Sequence, residues 1–141
     1  MRERLPPTDP REWLNRARSN FAQARARSSE VYLEDLCFNA QQAAEKAIKA
    51  LLIAHGVRFP YVHDIGLLLT LLEDAGVPVP EDVSSSVILT QYAVATRYPG
   101  LAPPVEEEDY SRAVSLAERV LQWVSEKLGN DARGEEERGV P

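Results

Sequence analysis

A chain of 141 residues with 44% hydrophobic residues and one cysteine is suited to a single domain whose core closes without disulfides or metals. Its formal net charge of -6 excludes a protein that holds nucleic acid chiefly through a broad cationic surface, while leaving a local basic cleft open. The opening MRERLPPTDP has no apolar signal core and runs such as Ile65 to Leu69 are far too short to span a bilayer, so a soluble, cytoplasmic protein with no membrane partner is expected.

Residues 1–8 read as a flexible N-terminus. Thr8 or Asp9 can cap the first helix, and Pro10 is tolerated in its first turn because it has no amide to lose. Trp13, Leu14, Ala17, Phe21 and Ala24 then recur at spacings of three and four, forming one stripe. Ser28 to Glu30 breaks the pattern. A long second helix is expected from Val31 to His55, burying Leu33, Leu36, Cys37, Ala40, Ala44, Ala47, Ile48, Leu51 and Leu52, with Gly56 as a left-handed cap. Cys37 reads as a small core residue. The opposite side carries Gln41, Gln42, Glu45, Lys46 and Lys49, and Gln41, Glu45 and Lys49 step by four, so they stand above one another.

The connector Val57 to Val62 contains Pro60 and should be extended. Asp64 suits the N-cap of a third helix, apolar on nearly every side and therefore central or an oligomer interface, which stops at Gly76. Glu81 and Asp82 suit the start of a fourth helix placing Val83, Val87, Leu89 or Thr90 and Tyr92 through Ala95 along it, until Tyr98-Pro99-Gly100 ends it. A fifth begins in the acids Glu106 to Asp109 and aligns Tyr110, Ala113, Val114, Ala117, Val120, Leu121, Val124 and Leu128. Residues 129–141 carry no core-forming pattern and read as a disordered charged tail. No segment reads as a strand. An all-α, antiparallel up-and-down bundle of about five helices over 9–128 is the expected fold.

Two histidines and one cysteine give no zinc-ligand spacing, and no glycine-rich phosphate loop is present, so neither metal nor cofactor is expected. His55 sits favourably at a helix C-terminus. His63, just before Asp64, either closes the connector or binds.

The succession NAQQAAEKAIKALL, HDIGLLLTLL, YAVATRYPG and EEDYSRAVSLAERVLQWV resembles the HEPN domain family (higher eukaryotes and prokaryotes nucleotide-binding) over about Asp9 to Leu128. The resemblance implies a helical bundle that dimerises, of the small prokaryotic type encoded beside a minimal nucleotidyltransferase in toxin-antitoxin pairs. It makes Gln41, Glu45, Lys49, Arg97 and Tyr98 candidates for holding a nucleotide or RNA phosphate in an intersubunit cleft. Ribonuclease members, which work without metal, carry an arginine, four to six residues, then a histidine. Such a pair is chemically apt: histidine moves a proton at the ribose hydroxyl or leaving oxygen, and arginine holds the developing phosphate charge.

Arg58 and His63 satisfy that spacing here, which makes them the candidate catalytic pair. They lie in the loop after the second helix, however, and Arg58 is followed by Phe59, whereas the family motif opens a helix late in the bundle. Arg97 matches that position by order, but no histidine follows it. Three readings therefore stand: a nucleotide- or RNA-binding module, a metal-independent ribonuclease and a structural helical dimer. In the paired systems the partner enzyme attaches nucleotides to a hydroxyl, for which Tyr98 or Tyr61 is available.

Overall fold

A computed structural model describes residues 3–94 and 98–139 of the protein. Five α-helices and one 3-10 stretch, with no strand among the described residues, form the expected helical bundle.

Helix α1 spans Pro10–Ala24. Asp9 holds extended backbone and its carboxylate accepts from the Arg11 amide at 2.9 Å, while Pro10 takes the first helical position. Helix α2 spans Leu33–Ala54, starting two residues later than its pattern suggests because Tyr32 is still extended. Its end is a Schellman motif: Gly56 has φ +68°, its amide donates to the Ile53 carbonyl and the Val57 amide reaches Leu52. Helix α3, Ile65–Asp74, repeats this ending at Gly76, φ +86°, and its cap Asp64 accepts from the Leu67 amide.

The fourth segment departs from the expected α-helix. A single turn, α4 (Glu81–Ser84), passes into a 3-10 stretch from Ser85 to Ala93. Ser84, Ser85 and Ser86, followed by β-branched Val87 and Ile88, favour the α-helix weakly, and the Ser85 hydroxyl bonds back to the Glu81 carbonyl. Tightening to three residues per turn aligns Val83, Ser86, Leu89 and Tyr92, all buried, and turns Val87 outward to 42% exposure. A sequence periodicity of 3.6 places Val87 inside instead.

Helix α5 starts at Glu107 and remains helical to Gly139. The helical backbone thus includes residues 129–139, the stretch expected as a charged tail, and residues 140–141 lie outside the described ones.

Helix α2 occupies the centre, packed by α1, α3, the 3-10 stretch and α5. From Ala40 to Leu52 every residue except Lys46 is buried. Its alanines at 40, 43, 44, 47 and 50 let these neighbours approach closely. The central position is therefore taken by α2, while α3 buries one face and leaves Leu67 partly exposed. Bundle ends are tied by polar contacts: the Tyr110 hydroxyl donates to the Ala24 carbonyl at 2.7 Å, Arg27 pairs with Glu107, and the Val105 amide donates to Glu34 at 3.0 Å. No described helix is long and apolar enough to cross a membrane.

Candidate functional site

Two steps of four along α2 bring Gln41, Glu45 and Lys49 onto one line, and the structure buries that line: their exposures are 0%, 2% and 3%. Burial obliges each polar atom to find a partner, and the ladder supplies them internally. Gln41 donates to Glu45 Oε1 and Lys49 to Glu45 Oε2, both at 2.9 Å, and Gln42 donates to the Gln41 carbonyl oxygen at 2.7 Å.

The connector 57–64 folds back over this line. His63 Nδ1 lies 2.9 Å from Glu45 Oε1; since a carboxylate only accepts, the imidazole carries a proton on Nδ1. The His63 side chain is 45% exposed, so the cluster opens to solvent at its imidazole. Around Lys49 stand three aromatic rings, Phe59, Tyr61 and Trp13, with centroids 5.5, 5.8 and 6.0 Å from Nζ. Their faces offer the ammonium a second layer of electrostatic stabilisation. Trp13 meets Phe59 edge-on at 6.1 Å, and its indole N–H donates to the Pro7 carbonyl at 2.7 Å, which ties α1, the connector and the N-terminal segment to one point.

Gln41, Glu45, Lys49 and His63 thus form one cluster. Arg58 is exposed on the same connector. Tyr98 sits elsewhere: it lines a cavity of about 340 Å³ with Tyr32, Glu34, Asp35 and Pro99, at the first turn of α2. Ten residues of helix, roughly 15 Å at 1.5 Å per residue, separate that turn from Glu45. Arg97 lies outside the described residues.

The aromatic cage is the part that sequence reasoning missed. By periodicity Trp13 belongs to the dry stripe of α1, and Phe59 falls in a connector that has no periodicity to place it. The signal available was a bulky aromatic on either side of Pro60, in a connector too short to leave the surface of α2.

Cys37 is fully buried, and burial with the carboxylates of Glu34 and Asp109 nearby pushes its thiol up to about 12, which suits a core residue and not a nucleophile. Among the described residues no group of three histidine, cysteine or acidic side chains is arranged to hold a metal ion. The chemistry on hand is a carboxylate-oriented imidazole, an exposed arginine and a caged ammonium.

The HEPN domain family profile matches residues 10–128. The crystal structure of TT1696 from Thermus thermophilus is similar, with TM-score 0.74 and 37% identity over 84% of this chain and 97% of that one. That of ST0689, described as an archaeal HEPN homologue, has TM-score 0.68 and 29% identity over the same shares. Comparison with curated proteins finds no match.

Proposed function

Because the chain belongs to the HEPN domain family, we propose that it is a nucleotide- or RNA-binding module whose site is built around the Glu45–Lys49–His63 cluster. The observation that carries this reading is the burial of a charged ladder in the central helix, opening to solvent at His63. A helix with only a packing task would be served as well or better by apolar side chains of the same volume, because desolvating an ion pair offsets most of its attraction. Retaining the charges holds His63 and its connector in one orientation. Binding of a short single-stranded RNA, measured by fluorescence anisotropy, should weaken at least tenfold in His63→Ala; unchanged affinity would remove His63 from the site.

One observation favours a second reading, a metal-independent ribonuclease. Glu45 on Nδ1 fixes the ring and leaves Nε2 without a partner among the described residues, an arrangement suited to proton transfer, with Arg58 on the same connector available for the phosphate. Purified protein incubated with tRNA in EDTA distinguishes the two. Cleavage that disappears in His63→Ala establishes the enzyme, and intact RNA with binding retained leaves the module.

We place the protein as a homodimer and as the partner of a minimal nucleotidyltransferase in a toxin-antitoxin-type pair. Support for a partner surface comes from exposed Val31, Tyr32, Tyr98 and Leu101 beside and around the Tyr98 cavity. Light scattering should give twice the chain mass. Co-expression with the neighbouring reading frame should yield a stable complex, with any nucleotide adduct mapping to Tyr98 or Tyr61, which are 54% and 93% exposed.

A further inference from the structure

Two adjoining cavities open beside α1, walled by the N-terminal segment and, in the larger, by Lys46 of α2. The larger, about 430 Å³, is lined by Leu5, Pro7, Glu12, Trp13, Arg16 and Lys46. The smaller, about 180 Å³, shares Glu12 and Arg16 and adds Glu3 and Arg4. In a chain with 22 acidic and 16 basic residues, this region reverses the balance: Arg4, Arg16 and Lys46 stand against Glu3 and Glu12.

Glu12 is already committed. Its carboxylate oxygens accept from the Leu5 amide at 3.0 Å and from Arg16 Nε at 2.6 Å, and its charge is offset by Arg16. Arg16 spends only Nε on that pair; among the described residues its two terminal nitrogens have no partner, and its side chain is 58% exposed. Lys46 is the one residue of mid-α2 not fully buried, and it has no carboxylate partner among the described residues. Its ammonium donates to the amide oxygen of Asn20 at 2.7 Å, which leaves two donors free. Asn20 is oriented in turn by donating to Asn39 at 3.0 Å. Burial, resisted by Glu45 but reinforced by the Arg16 and Lys49 charges, pushes Lys46 below the ordinary lysine range. Lys46 is thus a half-buried cation with no ion pair of its own, beside the pairs Arg16–Glu12 and Lys49–Glu45, and its remaining donors and those of Arg16 face the same cavity.

We propose that Arg16 and Lys46, in the cavity walled by Trp13, form a binding site for a phosphate group. Arg16 supplies planar paired donors suited to two phosphate oxygens, Lys46 supplies a point charge held by Asn20, and the indole offers an apolar wall to whatever carries the phosphate. The site adjoins the His63 cluster across Trp13, whose ring neighbours both Lys49 and Phe59. It rests on the nucleotide- or RNA-binding reading only for the source of the phosphate, which is either a free nucleotide or an RNA backbone.

Isothermal titration of the full chain with inorganic phosphate, AMP and a single-stranded RNA pentamer tests it. Saturable binding of AMP or the pentamer is expected, with competition by phosphate, weakening as salt rises and at least a tenfold loss in Lys46→Gln and in Arg16→Gln. Lys46→Arg, which keeps the charge, should bind within a few-fold of the native chain. An unfolding midpoint for each variant separates lost binding from lost fold. Competition between phosphate and the pentamer assigns the site to RNA, and binding of AMP alone assigns it to a free nucleotide. No saturable binding of any probe, or native affinity in a folded Lys46→Gln, overturns the proposal. RNA that binds through His63 but is indifferent to Lys46 overturns this site and leaves the wider reading standing; AMP that binds at Lys46 without any effect of His63 keeps this site and removes the His63 cluster from ligand recognition.

Discussion

Glu45 accepts from Gln41 and His63 at one carboxylate oxygen and from Lys49 at the other, each at 2.9 Å, at 2% exposure. Removing this acceptor strands a buried ammonium and a buried amide. Glu45→Leu should therefore lower unfolding free energy by about 3–5 kcal/mol, whereas Glu45→Leu combined with Lys49→Met should recover most of that loss, as denaturant titration of the three proteins will read. A double variant as unstable as the single would mean that the charge pair itself, and not its half-removal, holds the helix. At the N-terminus, the Leu5 amide first and Arg16 second hold the Glu12 carboxyl below its ordinary range. A lowered folded value means the stabilisation is complete at neutral pH and is lost as pH falls through the ordinary glutamate range and then the folded one. Between about pH 6 and about pH 3 the native chain should lose more stability than Glu12→Gln; equal losses would dissociate Glu12 from acid unfolding. The step of four from Gln41 to Lys49 was legible in the sequence. That it lies inside the bundle was not, because the residues that cover it, Trp13, Phe59 and Tyr61, come from a different helix and a loop.

Helix ends were the most readable elements. Asp9, Asp64, Gly56 and Gly76 act through local geometry alone, so their chemistry is visible without knowing the fold. Gly56→Ala places a side chain at φ +68° and should cost about 1 kcal/mol although nothing lies within 4 Å of its added carbon. Gly129→Ala meets the same open space inside the regular helix α5, and should instead stabilise by up to about 1 kcal/mol. Thermal melts of both variants check the pair, and shifts of the same sign would contradict the cap at Gly56 or the helix at Gly129. The segment Glu81 to Ala93 was the least readable. The weak helix preference of Ser84 to Ile88 leaves its winding open, and the packing of the stretch against α2 and α5, with Leu89 and Tyr92 buried, goes with the tighter one.

At the scale of the molecule, family and bundle were legible because ordered motifs along 10–128 report the whole succession of helices. The site was less so: residues grouped by their place in the motifs divide in space, with Gln41, Glu45, Lys49 and His63 at mid-helix and Tyr98 at the first turn of α2. The proposed function places ligand recognition at the first of these, where a buried charge cluster reaches water at a single imidazole. The direct measurement follows the His63 imidazole by NMR while a short single-stranded RNA is added. A saturable shift of its ring resonances, abolished in Glu45→Gln while the fold is retained, is the expected result; RNA that binds without moving His63, or does not bind at all, would contradict it.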